Sequence, residues 1–247
     1  MDGTFEKIPQ RFVLLPGLHG TADLFDRFIA AAPESACLRV VTYPTDRCLG
    51  WNQLHQHVAS ELAGEPPVVL IAESFGGPLA LRFAADHPDE VRAVILCASF
   101  VSPPVPRPLC YLATPLIWTF FPIPGLAIRA FLSGMRADAR LVTQVRQAIR
   151  ANPPRVLAHR VRIAAGTNAR NSLRKCQSPI LYLAAAHDRL VGARSRRRIG
   201  RIRPAIETQF METPHLLLQT RPEEAWRRIR QFLGELPPTQ AAPNQNS

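Results

Sequence analysis

The segment AESFGG, residues 72–77, places a single hydroxyl among small residues. An apolar run typical of a buried strand precedes it, and apolar residues return after it in a helical pattern. A serine at such a turn is exposed on a sharp bend when the residues two positions away are small, as Ala72 and Gly76 are. We therefore interpret Ser74 as a candidate nucleophile. The hexapeptide alone fits an N-capping serine at an ordinary strand-to-helix turn equally well.

A serine hydroxyl reacts when a base takes its proton, and a carboxylate usually orients that base. Asp188 follows the apolar run ILYLAAA, and His215 follows the last predicted strand. Because chance agreement at three strand ends is much rarer than at one, we predict a triad of Ser74, Asp188 and His215. We interpret Glu73 as a neighbour of the nucleophile and His19 as a solvated loop residue.

Six short apolar runs alternate with amphipathic stretches, the pattern of βαβ units and a parallel sheet, and most read as strands buried on both faces. The runs are residues 12–17, 38–44, 68–74, 91–99, 180–188 and 205–213. Open parallel sheets bind ligands at the carboxyl ends of their strands, so the three candidate residues are expected to meet at one edge. We predict one α/β domain whose core comprises residues 1–99 and 179–236.

The alternation stops between residues 100 and 178, where seven prolines fall between positions 103 and 124. Since strands resume directly afterwards, we predict that residues 100–178 form a helical, proline- and arginine-rich lid inserted between two strands. Residues 237–247 contain few apolar groups and are expected to be a disordered tail.

Over residues 12–233 the sequence resembles the α/β-hydrolase superfamily, in the branch of small lidded esterases. AESFGG resembles the family's nucleophile elbow, HDRLV its acid loop and TPHLLLQTRPEE its histidine loop. The resemblance implies an α/β-hydrolase fold, with a mostly parallel sheet of about six strands flanked by helices. It also implies an oxyanion hole formed by the backbone N–H groups of Leu18 and Phe75, and no metal or organic cofactor. Ala72 stands where glycine is usual, and Pro16 where the family often has histidine.

Charge is concentrated in the predicted lid. The chain carries a net charge of +11, and residues 129–178 contain eleven basic residues against one acid, Asp138. In a helix over ARLVTQVRQAIRA, apolar side chains face one way while Arg140, Arg146 and Arg150 face the other. The apolar face is expected to cover the active site. A solvated charged face is the ordinary explanation of such arginines, but an excess of this size favours an acidic partner.

Basic lids of this kind resemble those of pimeloyl-acyl carrier protein methyl ester esterases, whose carrier is strongly acidic. This resemblance implies an acyl carrier protein as partner, in biotin synthesis. We interpret residues 108–128, which include Trp118 and Phe121, as the apolar lining of an acyl pocket. That stretch is uncharged and about long enough to cross a bilayer, but its four prolines argue against a spanning helix. Peripheral contact with an anionic membrane is the second expectation. No nucleic acid is expected, because no groove-reading motif accompanies the arginines.

The sequence therefore predicts a serine hydrolase that cleaves a carboxylic ester through an acyl-enzyme. A general small- or medium-chain carboxylesterase, lipase or thioesterase fits equally, and a carbon–carbon bond hydrolase or cofactor-free haloperoxidase could use the same residues. A catalytically silent binding protein is the non-enzyme alternative, disfavoured by a complete triad. The N-terminal residues lack an apolar secretory stretch and the five cysteines form no C-x-x-C motif, so a cytoplasmic location with mostly buried thiols is expected.

Overall fold

The computed structural model describes residues 10–109, 111–112 and 123–236. Six strands form one sheet in the order β2-β1-β3-β4-β5-β6, and every neighbouring pair is parallel. The strands are β1 (Gln10–Leu15), β2 (Ala36–Val40), β3 (Val68–Glu73), β4 (Val91–Cys97), β5 (Ile180–Ala185) and β6 (Glu207–Met211). The predicted parallel sheet of about six strands is confirmed.

Helices cover both faces of this sheet. They are α1 (Asp26–Ala30), α2 (Trp51–Leu62), α3 (Gly76–Asp86), α4 (Gly125–Ile128), a π-helix (Arg129–Ser133), α5 (Ala139–Arg150), α6 (Pro154–Ala165), α7 (Arg170–Lys175), α8 (Gly192–Ile202), α9 (Leu217–Thr220) and α10 (Pro222–Gly234). Two short 3₁₀ helices span Asp23–Phe25 and Pro88–Glu90. Alternate side chains of β1 enter two separate cores: Val13 and Leu15 pack with α2 and α3, while Phe12 and Leu14 pack with α1 and α10.

The central strands are buried on both faces, as predicted, and every residue of β3 and β5 is buried. The edge strands β2 and β6 differ, because most of their residues are half-buried or exposed. An edge strand has one neighbour and is covered less completely by helices, which explains the difference. Of the four described cysteines, Cys97 and Cys176 are buried as expected, whereas Cys37 and Cys48 are exposed.

The described residues between β4 and β5 form helices α4 to α7 and the π-helix, with no strand among them. Helix α5 buries the predicted apolar face, and these side chains form a third cluster with Leu24 and Leu216. The segment therefore covers the loop that carries His215. Trp118, Phe121 and the predicted tail at 237–247 lie outside the described residues. None of the described helices is long and apolar enough to span a bilayer.

Candidate active site

Ser74 lies at the turn between β3 and α3 with a φ of +49°. This is a left-handed backbone conformation that residues other than glycine rarely adopt. Two close approaches enforce this turn. A Cβ on Gly76 would lie 2.6 Å from the Leu15 carbonyl oxygen, and a Cβ on Gly77 would lie 1.8 Å from Ser99 Oγ. Only glycine therefore fits at either position without a shift of its neighbours, and the sharp bend expected around Ser74 is present.

Ser99 holds the turn from the neighbouring strand. Its hydroxyl donates a 2.7 Å hydrogen bond to the Ser74 carbonyl oxygen, and the Ser74 N–H donates to the Cys97 carbonyl at 2.9 Å. This role of Ser99 was not predicted from the sequence. Its position at the end of β4, beside the strand that precedes the elbow, was the available signal.

His215 and Asp188 form a buried pair. The imidazole Nδ1 lies 2.8 Å from Asp188 Oδ2, and the two side chains are only 3% and 5% exposed. The other carboxylate oxygen accepts from the backbone N–H groups of Leu190 and Val191 at 2.8 and 2.9 Å. Burial opposes ionisation of Asp188, but the bonds from His215 and from these two N–H groups outweigh it and lower the pKa of the carboxyl. An ionised carboxylate only accepts, so His215 Nδ1 carries the proton and Nε2 can act as a base.

Ser74 and His215 line the same cavity, of about 380 Å³. Its apolar walls include Leu18, Leu24, Ile123, Ala127, Ile128, Leu132, Val145, Ile149, Leu157 and Val161. Most of these residues belong to the segment between β4 and β5, and Ile123, Ala127 and Ile128 come from the stretch predicted to line an acyl pocket. Among the contacts of the described residues, no hydrogen bond joins the Ser74 hydroxyl to the imidazole.

The loop after β1 lines this cavity with Gly17, Leu18 and His19. In the described part of the chain, the N–H groups of Leu18 and Phe75 have no hydrogen-bond acceptor. Carbonyl groups of the same loop are engaged instead: the Gly17 carbonyl accepts from Gly20 N–H at 3.1 Å, and that of Pro16 from the Tyr43 hydroxyl at 3.1 Å. Unengaged N–H groups beside a nucleophile are what an oxyanion hole requires.

Arg160 ties the segment between β4 and β5 to this loop. Its side chain lies on α6, is buried at 2% exposure, and donates at 2.8 Å to the carbonyl oxygens of both Leu18 and His19. It also donates to Asn152 Oδ1 at 2.9 Å and to the Pro44 carbonyl at 2.9 Å. Burial lowers the pKa of Arg160 to about 10, so the guanidinium remains charged at neutral pH.

From the sequence, Arg160 was only one of the eleven basic residues at positions 129–178, and its burial was not predicted. The missed signal is its spacing: Val156 and Ala164 lie four residues before and after it, and both are buried on the same side of α6. A Cβ on Gly20 would lie 2.5 Å from the guanidinium, so the loop can receive Arg160 only because residue 20 is glycine.

Two further ionisable side chains border the cavity. Glu73 is 1% exposed, and its Oε2 accepts from Gln219 Nε2 at 2.9 Å; burial raises the pKa of this carboxyl. His19 was expected to be solvated, which is wrong: it is 7% exposed, and burial, reinforced by the charge of Arg160, lowers its pKa to about 4. His19 is therefore neutral at physiological pH.

The predicted arginines of α5 differ in exposure. Arg140 and Arg150 are exposed, whereas Arg146 is half-buried beside Gly125, where an added Cβ would lie 2.8 Å from its guanidinium. Asp138 caps α5 by accepting from the Leu141 N–H at 2.7 Å, and it also pairs with Arg27 of α1 at 2.9 Å. Within the described residues, no group of three or more His, Cys, Asp or Glu side chains could hold a metal ion.

Comparison with known proteins places these features in a family. The profile of the family described as serine aminopeptidase, S33 matches residues 46–216. A poly(3-hydroxyalkanoate) depolymerase from Ectopseudomonas oleovorans is 28% identical over 174 residues. That alignment covers 67% of this chain but only 60% of the relative's own length.

Solved structures of low sequence identity share the fold. A hydrolase from Pseudomonas aeruginosa PA01 superposes with a TM-score of 0.78 at 18% identity, over 94% of this chain and 92% of that one. An enol-lactonase from Burkholderia xenovorans LB400 gives 0.75 at 16% identity, over 95% of each chain. These matches confirm the predicted α/β-hydrolase fold. The chain therefore belongs to the serine aminopeptidase, S33 family and has the α/β-hydrolase fold.

Proposed function

We propose that the protein hydrolyses carboxylic esters through an acyl-enzyme on Ser74. The observation that carries the proposal is the Asp188–His215 hydrogen bond of 2.8 Å beside a cavity that also receives Ser74 from its sharp turn. His215 Nε2 takes the proton of the hydroxyl as Ser74 Oγ attacks the ester carbonyl carbon, and Asp188 stabilises the imidazolium that forms. The N–H groups of Leu18 and Phe75 then stabilise the oxyanion.

His215 next returns the proton to the departing alcohol, which leaves the acyl group on Ser74. Water attacks this acyl-enzyme with the same assistance from His215, and the acid is released. The hydrogen bond between nucleophile and base is often long or poorly aligned before substrate binds. A bound ester aligns the hydroxyl and imidazole in the shared cavity, so the proposal does not need that bond in the free enzyme.

The predominantly apolar walls of the cavity favour an acyl chain over a polar acid portion. To test the role of the pair, we would measure hydrolysis of esters of graded acyl length by the wild type, Ser74→Ala and Asp188→Asn. Loss of the orienting carboxylate should lower kcat on the order of 10⁴-fold, because the wrong tautomer presents no base to Ser74. The matched control is Asp89→Asn, which changes an exposed carboxylate elsewhere. Full activity in Asp188→Asn would contradict the proposal.

We extend the proposal to a carrier-bound substrate, a methyl ester of a pimeloyl-type chain on an acidic acyl carrier protein. The exposed Arg140 and Arg150 on the outer face of α5, and the positive excess of residues 129–178, support it. Charge reversal of both arginines to glutamate should lower kcat/KM for the carrier-bound ester and spare the free ester. Reversal of the exposed Arg227 and Arg230 is the control. Equal rates on carrier-bound and free ester would remove the carrier from the proposal.

A second substrate candidate is an ester of a 3-hydroxyalkanoate. It is favoured by the depolymerase relative, whose alignment covers 67% of this chain. Hydrolysis of short 3-hydroxyalkanoate oligomers, compared with the carrier-bound methyl ester at equal concentration, discriminates the two substrates.

A further inference from the structure

A cleft of about 540 Å³ that is lined by five arginines lies against the loops that carry the candidate base and acid. His187 and Arg189, which line it, stand on either side of Asp188 in the chain, and Pro214, which also lines it, directly precedes His215. The cleft therefore lies against the backbone of the two loops that carry Asp188 and His215.

The cleft adjoins the apolar cavity that contains Ser74. The π-helix Arg129–Ser133 contributes residues to both, and Phe131 lines both. A molecule that extends past Phe131 would place an apolar portion in the cavity and a polar portion in the cleft. The two chambers differ in chemistry, because the cavity is walled mainly by aliphatic side chains, whereas five arginines line the cleft together with apolar residues such as Phe131 and Met135.

Two carboxylates line the cleft, and each already has a basic partner. Asp138 lies 2.9 Å from Arg27, and Glu212 lies 2.9 Å from His187. Asp138 is held further by its bond to a backbone N–H of α5. The two carboxylates stand against five arginine guanidinium groups that line the cleft, so the cleft keeps a net positive charge.

Four more arginines line the same cleft. The guanidinium of Arg129 donates to backbone carbonyl groups, one of them that of Ala137. Arg136, Arg189 and Arg221 are exposed, and within the described residues they have no carboxylate partner. Several unpaired guanidinium groups converging on a concave surface stabilise an anion, and their forked N–H groups suit a carboxylate or phosphate.

We propose that this cleft binds an anionic group, a carboxylate or phosphate, carried on the alcohol portion of the ester. The alcohol portion is assigned because the base must reach the leaving oxygen, so the leaving group lies on the imidazole side, where the cleft is. The acyl chain then occupies the apolar cavity. This inference rests on the proposed ester hydrolysis, and it adds the substrate class: esters whose alcohol is itself an acid.

The test compares three hexanoyl esters that differ in one group of the alcohol. They are the ester of 3-hydroxypropanoate, the ester of the corresponding amide, which is neutral and of similar shape, and the ester of 2-hydroxyethyl phosphate. At low salt, at least one anionic ester should exceed the amide in kcat/KM by about tenfold, and added salt should reduce the ratio. The anion with the higher ratio identifies carboxylate or phosphate as the ligand. A ratio of one or less for both anions overturns the proposal.

The cleft variant is the triple change of Arg136, Arg189 and Arg221 to glutamine, which should bring the ratio of anionic to neutral ester close to one. The matched control changes Arg194, Arg197 and Arg201 on α8 to glutamine, which removes the same charge from exposed positions away from the cleft. The control should keep the wild-type ratio. An equal fall of the ratio in both variants would show a general field effect and no cleft site.

A binding measurement on a variant that cannot hydrolyse esters distinguishes this inference from the proposed function. In Ser74→Ala, calorimetry should show tighter binding of the favoured anionic ester than of the amide, with the difference lost when the three cleft arginines are also changed. This readout stands even if no ester is turned over. Failure to hydrolyse the neutral ester would count against the proposed function, whereas equal binding of anion and amide would count against the cleft alone.

Discussion

The guanidinium of Arg160 donates a hydrogen bond to the carbonyl oxygen of Leu18 across 2.8 Å, and through it α6 is fixed to the loop that offers the Leu18 N–H. The same nitrogen also holds the carbonyl of His19. The segment over the active site is thus joined directly to the proposed oxyanion hole. Arg160, one of the basic residues of the predicted lid, therefore links that segment to the candidate catalytic loop.

Arg160→Met should lower kcat by about ten- to a hundredfold with a smaller change in KM, because the loop loses the donors that fix it while the apolar cavity stays. Arg160→Lys should recover part of the loss. Arg162→Met, exposed on the same helix, is the control. Steady-state kinetics on a neutral ester, with thermal unfolding to verify the fold, checks the prediction. Unchanged kcat in a folded Arg160→Met protein would contradict it.

Gly77→Ala should destabilise the protein by about 1–3 kcal/mol, since the new methyl group would overlap Ser99. Its Cβ would lie 1.8 Å from Ser99 Oγ. The double variant with Ser99→Ala should relieve part of this loss, which urea denaturation measures as a coupling free energy. Gly200→Ala is the matched control, because no atom lies within 4 Å of its Cβ on α8 and alanine favours a helix. Additive effects of the Gly77 and Ser99 changes would show that no such overlap exists.

Stability should fall as the pH drops from about 6.5 to about 4, because of His19. Its pKa falls from 6.5 to about 4 on folding, so the unfolded chain binds more protons in this window and acid favours unfolding. The contribution of His19 is complete above pH 6.5, and about 3 kcal/mol of it is lost by pH 4. Urea midpoints across this range, for the wild type and His19→Leu, measure it. Parallel pH profiles of the two proteins would contradict the assignment.

Glu73 should act in the opposite direction. Its buried Oε1 has no partner within the described residues, and burial raises the pKa of the carboxyl above the ordinary 4.5. The folded state therefore holds the proton more tightly than the unfolded chain, so stability is present at low pH and declines as the pH rises above 4.5. Glu73→Gln should gain stability relative to the wild type between pH 4.5 and neutrality. A constant difference between their unfolding free energies over that range would refute this.

The sheet could be predicted, and the candidate triad could be proposed, because the signals are local. Each central strand is a short apolar run, and Ser74 and Asp188 each follow such a run, while His215 follows the edge strand β6. Parallel strands bring those positions to one edge whatever the details of packing. The edge strands were predicted less well, because sequence alone does not show which strands have a single neighbour.

The burial of Arg160 and the arginine cleft could not be predicted in the same way. A guanidinium is usually solvated, and only the fold shows that backbone carbonyl groups around residues 18–19 receive it. The cleft unites the π-helix with the acid and histidine loops, which are far apart in the chain. The distribution of charge along the sequence indicated the arginines of α5. It did not show that arginines from separate segments line one cleft.

Active-site labelling tests the central claim most directly. A fluorophosphonate forms a covalent bond with a serine activated by a neighbouring base, and tandem mass spectrometry locates the adduct. We predict one adduct per chain, on Ser74, formed rapidly by the wild type, slowly by Asp188→Asn and not at all by Ser74→Ala. A folded wild-type protein that hydrolyses esters yet carries the adduct elsewhere, or none, would contradict the account.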